Sequence, residues 1–150
     1  MNVIAFFSAL LFMASSVLNA QSFKVFAVSD LSRVFEDGYK LPVKYDTIKV
    51  FGIRGEILSG QFVVNAKSNL TNLTVELSAL KNHVSGNSLP TSSVEWNFVG
   101  TIPLTANTRG YPLTLVTRKA PANFPEYLME ERQININKGD SVLTSTREKR

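Results

Sequence analysis

Three glutamates, Glu126, Glu130 and Glu131, fall close together in the last quarter of the sequence. Paired carboxylates are the working parts of a glycosidase. One protonates the leaving oxygen from a site that raises its pKa, and the other attacks or activates water about 5–10 Å away. Here the run sits beside Pro125 and Arg132, with no apolar enclosure around it. Such a run is expected on a solvated surface, not in an acid–base pair. His83, the single histidine, lies between Asn82 and Val84 near Ser85. A metal centre or a Ser-His triad needs partners that converge on the imidazole, and a polar loop supplies none, so a solvent-facing histidine is expected. The chain has no cysteine, which excludes disulfides and a lipid anchor on an N-terminal thiol. Gly52, Gly55 and Gly60 lie on strand-like segments without a following helix, so no phosphate-cradling loop is expected. No catalytic residue, metal site or cofactor is expected.

Binding chemistry falls to the aromatic residues. Trp96 is the natural residue to stack on a sugar ring, but it alternates with Val94 and Phe98 and is expected in the core. Tyr111 and Tyr127 stand beside Pro112 and near Pro125 in segments without clear periodicity; these two are the candidate carbohydrate contacts. Asn69-Leu-Thr71 and Asn72-Leu-Thr74 form tandem glycosylation sequons, which matter only in a eukaryotic secretory route. The formal net charge of +4 is scattered apart from Arg147, Lys149 and Arg150. A nucleic-acid surface wants a dense basic stripe interleaved with aromatics, and none is present.

These residues must be positioned by a modest chain of 150 residues, the length of one domain. Its first 20 residues carry no charged side chain, and Val3 to Met13 is dominated by apolar residues. A small and polar stretch then ends at Ala20, which is the layout of a secretory signal peptide cut after Ala20. The apolar run is shorter than the roughly 20 residues a membrane span needs, so no span is expected in the mature chain. The expected location is secreted or periplasmic. Export without cysteines points to a bacterial envelope protein, since small secreted animal domains lean on disulfides.

From residue 21 the rhythm is of period two. Phe23 to Val28 reads as a first strand. Asp30 is placed as the N-cap of a short helical turn carrying Leu31, Val34 and Phe35 and ending at Gly38. Strands are predicted around Ile48 and Val50, at Gln61–Lys67, at Leu73–Ala79, at Val94–Phe98 closed by Pro103, at Leu113–Arg118, and last at Ile134 and Ile136. Asn69–Asn72 and Lys138-Gly139-Asp140 read as turns, and Lys81–Ser93 as a polar loop. Short strands with turn residues between them predict an all-β fold. The expected form is an antiparallel β-sandwich, immunoglobulin-like or jelly-roll-like, over 21–140, with 141–150 a polar tail or the start of a linker.

The string from Phe51 to Val64, FGIRGEILSGQFVV, resembles the N-terminal β-sandwich of glycoside hydrolase family 123-like proteins, where an Arg-Gly-Glu segment lies in a strand pair. Leu70–Leu80, Leu89–Pro103 and Phe124–Leu128 resemble later pieces of that domain in the same order. The resemblance covers roughly residues 40–140. It implies a non-catalytic accessory domain supporting a carbohydrate-acting (β/α)8 barrel. In that family an Asp-Glu pair on the barrel acts on N-acetylgalactosaminides, and no position here matches it. A barrel of about 250 residues does not fit in this chain, so it is expected as an adjoining partner. The alternative is a free-standing secreted carbohydrate-binding or adhesion module.

Overall fold

The computed structural model describes residues 21–53, 55–82 and 84–148. The predicted signal segment, Arg54, His83 and the last two residues lie outside them. Nine strands run in the order β1 (Phe23–Val28), β2 (Ser59–Ala66), β3 (Leu70–Leu73), β4 (Leu80–Lys81), β5 (Ser88–Leu89), β6 (Val94–Leu104), β7 (Ala122–Leu128), β8 (Ile134–Ile136) and β9 (Ser141–Glu148). The main sheet has the order β1-β2-β9-β6-β7, and every pairing in it is antiparallel. Two small ribbons, β3-β8 and β4-β5, complete an all-β fold. A single turn of 3-10 helix at Thr91–Ser93 leads into β6.

The alternation of β2 distributes the core over both faces of the sheet. Val63, opposite Phe26 and Leu143, packs with Val28, Val34 and Leu143. Val64 and Ala66 point the other way and pack with Ile136 of β8, joined by Leu70 and Leu73 of β3. The β3-β8 ribbon is therefore a second layer on one face, while the segment after β1 covers the other through Val34 and Leu41. Phe98 and Thr144, cross-strand neighbours on β6 and β9, are fully buried beneath the half-buried Trp96. The rings of Trp96 and Phe98 meet edge to face at 5.1 Å.

Several expectations need correction. Residues 141–148, read as a polar tail, form β9, which lies between β2 and β6. Its Ser and Thr residues looked soluble, but β-branched residues suit a pleated surface, and Leu143 and Thr144 are buried there. The segment around Ile48 and Val50 makes no strand. Residues 46–53 and 55–58 belong to an irregular arm in which Glu56 N–H donates to Ile53 O, with Gly55 at φ 87°. No ladder bulge exists at Gly52 or Gly55. The family-like string is thus split, its first half on the arm and its second half on β2.

Leu113–Arg118 is turns, not a strand. The Asp30 helix is also absent. Leu31 is exposed, the Ser29 hydroxyl accepts from Leu31 N–H, and Val34 and Phe35 are buried by tertiary contacts instead. Asn69–Asn72 is mostly strand β3, with Asn72 at positive φ. The 73–79 alternation puts Leu73, Val75 and Leu77 inward, but the ladder stops at Leu73 because no partner strand runs alongside the rest. Pro103 lies within β6, where it pairs with Asn123 of β7. Beyond Phe98, β6 has left β9, so one side of the strand needs no N–H donor and proline is tolerated.

One glycine positions the arm. A Cβ at Gly60 would lie 2.5 Å from Ile48 Cγ2, a methyl fixed to a stiff, branched carbon. Gly60→Ala is expected to lever Ile48 off the sheet, at about 1–3 kcal/mol. Faster limited proteolysis within 46–58 is the readout, and unchanged cleavage would refute it.

Candidate functional site

The polar chemistry of the described residues gathers along the connection that follows β1. At residue 98 the main sheet opens: β6 pairs with β9 up to Phe98↔Thr144 and with β7 from Val99↔Leu128. The 29–37 segment crosses this opening. Ser141 N–H donates to Glu36 O at 2.6 Å, and the Glu36 carboxylate accepts from Thr101 Oγ1 at 3.2 Å and from the Asn123 amide. Arg33 pairs with Glu126 at 3.1 Å. Glu126 is free to do so because it is the extra residue of a bulge: Gly100 faces Tyr127 while Thr101 faces Pro125.

Further along, Arg118 forms a two-pronged pair with Asp37, Nη1 to Oδ1 at 2.6 Å with Nη2 on Oδ2. Its guanidinium also lies 4.8 Å from the Phe35 ring centroid and 4.7 Å from that of Tyr39. The hydrogen bond from Arg118 holds the Asp37 carboxyl below its ordinary value, against an opposing effect of burial. The same bond raises Arg118. This cluster ties the irregular 105–121 connection to the 35–39 segment. It is a clamp, since the cation is stacked, paired and covered, with nothing left to offer a substrate.

Below the Arg33–Glu126 pair lies a cleft of about 270 Å3 bounded by Asp30, Ser32, Gln61, Tyr127 and Ser145. Gln61 is partly buried on β2, between Val28 of β1 and Ser145 of β9. Its Oε1 is fully buried and accepts no hydrogen bond.

The sequence-derived candidates separate in space. Tyr127 is about half exposed and borders this cleft, with its ring over Gly100. Tyr111 is exposed in the 105–121 connection, held by a turn to Thr108, and borders none of the described clefts. The two tyrosines do not form one platform. Trp96, expected in the core, is only half-buried, and Arg132 lies over its ring at 4.8 Å. Of the three glutamates, Glu126 is paired to Arg33, while Glu130 and Glu131 are exposed. Among the described residues no group of three or more His, Cys, Asp or Glu is placed to hold a metal ion. No helix among them is long and apolar enough to cross a membrane.

Sequence reasoning missed Gln61, Arg33 and Asp30. Period two on β2 marks Gln61 and Asn65 as a polar, solvent-facing side, but this sheet is covered on both faces and the polar side is interior. Comparison with known proteins gives no match to a family model and none to a curated protein.

Proposed function

We propose that this chain is a non-catalytic β-sandwich domain of a secreted or periplasmic glycoside hydrolase-like protein, supporting an adjoining carbohydrate-acting (β/α)8 barrel. The single observation that carries this reading is the apolar arm after β1. Val43, Tyr45, Ile48, Val50, Phe51, Ile53 and Ile57 are all exposed within one short irregular stretch, Phe51 at 96% and Ile53 at 81%. Monomers seldom leave a contiguous apolar patch of this kind uncovered. The arm arches over a groove of about 980 Å3, walled by Val28, Tyr45, Leu58 and their neighbours. Lys44 and Lys49 are exposed beside the patch. The ordered likeness of residues 51–64, 70–80, 89–103 and 124–128 to the family 123 sandwich names the kind of barrel.

Sequencing the transcript beyond Arg150 tests the reading. An open frame continuing into alternating strands and helices supports it, and a stop codon there overturns it. A variant addresses the arm itself. In the chain alone, Phe51→Ser with Ile53→Ser is expected to change stability by less than about 0.5 kcal/mol, as surface substitutions do. It should also reduce binding of an apolar dye. Unfolding of this double variant would place the arm in the domain's own core and refute a docking role.

A further inference from the structure

We infer that the cleft between the 30–33 turn and the β2-β9 face is a binding site for a hydroxyl-rich ligand of the size of one sugar unit, anchored by Gln61. This does not rest on the docking reading: the cleft adjoins the arm's groove at Asp30, but its anchor, Gln61, lies outside that groove.

The first ground is the unpartnered acceptor. A buried amide oxygen left without a donor costs free energy, and Gln61, which lines the cleft, carries such an atom; a turn of its side chain would bring the oxygen into the cleft. An apolar residue at that position would fit the surrounding Val28, Val63 and Leu143 core at no such cost. A glutamine here makes sense if the amide turns to accept from a ligand O–H.

The second ground is the mixture of groups above it. Asp30 and Glu126 accept, Arg33 donates, and Ser32 and Ser145 do both. Two carboxylates against one guanidinium leave the rim negative overall, which disfavours phosphate or carboxylate ligands. The Arg33–Glu126 pair is exposed at both ends and so can rearrange around a guest. A neutral molecule with several hydroxyls satisfies donors and acceptors together. The volume of about 270 Å3 lies just below that of ordinary ligand pockets, roughly 300–1,000 Å3, and limits the guest to about one ring.

The test is a heteronuclear NMR titration of the full chain with D-glucose, D-galactose and N-acetyl-D-glucosamine, and separately with sodium sulfate. The expected result is a saturable response to at least one sugar at the Gln61 side-chain amide, Ser145 and Arg33, and none to sulfate. Gln61→Met should weaken that affinity about tenfold, the equivalent of one hydrogen bond, while the melting temperature stays level or rises. Arg33→Ala should weaken it with the fold intact. No response to any sugar at these residues overturns the proposal, as does a response to sulfate there. Unchanged affinity in both variants would likewise end it. A sharp loss of stability in Gln61→Met would show the amide to be structural and would overturn it too.

Discussion

Phe98→Ala is expected to remove about 3–5 kcal/mol of stability, the range for deleting a fully enclosed phenyl ring. Phe98 has no exposed surface. It lies opposite Thr144, also fully buried, and supports the Trp96 ring edge to face. The void would fall where the sheet divides, with β9 on one side and β7 on the other, so neither strand can close it without breaking its own ladder. Thermal unfolding should show a fall of roughly 10–20 °C, scaling about 3–5 °C per kcal/mol for a domain of this size. A fall of only a degree or two would mean that the ring is not the keystone its burial indicates. Phe98→Leu, which keeps most of the volume, should lose much less.

Arg118→Ala is the second large effect, at about 2 kcal/mol. Two ring faces contribute about 0.5–1 kcal/mol each. The ion pair adds less than about 1 kcal/mol, because the Asp37 side chain is half exposed and solvent screens it. The stacking outweighs the charge pair, and this predicts an asymmetry under acid. The Asp37 carboxyl titrates below its ordinary 3.8 in the folded protein. Its contribution is therefore complete above that value and is lost as pH falls through the folded pKa. Acidification should remove only the ion-pair share, leaving the cation on its rings. The stability gap between wild type and Arg118→Ala, followed by melting temperature from neutral pH down to strong acid, should narrow but not close. A gap that vanishes would assign the clamp to charge alone, and a gap indifferent to pH would deny the Asp37 pairing.

β1, β2 and β6 were legible, whereas β7 at one edge and β9 at the centre were not. Phe23–Val28, the apolar members of β2 and the Val94-Trp96-Phe98 row announce themselves as strands, although β1 and β2 bury residues on both faces. Alternation also gave the facing of Leu73, Val75 and Leu77, but not their pairing, because a side-chain rhythm says nothing about whether a partner strand runs alongside. Ser141–Glu148 escaped for the opposite reason. Its alternation, Val142-Thr144-Thr146 against Leu143-Ser145-Arg147, is present, but hydroxyl-bearing residues on a sheet covered on both sides resemble a solvated tail.

The candidate cleft was hidden by the same fact. A glutamine in a strand reads as solvent-facing until the 29–37 crossing is seen to roof it. Glu126 became a partner of Arg33 only through a bulge that no local motif marks. Tyr127 was identified from its proline-rich setting and does border the cleft, whereas Tyr111 in a similar setting does not.

The order of assembly follows from where β9 sits. β9, the strand at the middle of the sheet, leaves the ribosome after both strands it joins. Until it emerges, β1-β2 and β6-β7 are two separate hairpins, each with a bare inner edge able to capture a neighbouring chain. The five-stranded sheet therefore stays open until residues 141–148 have emerged.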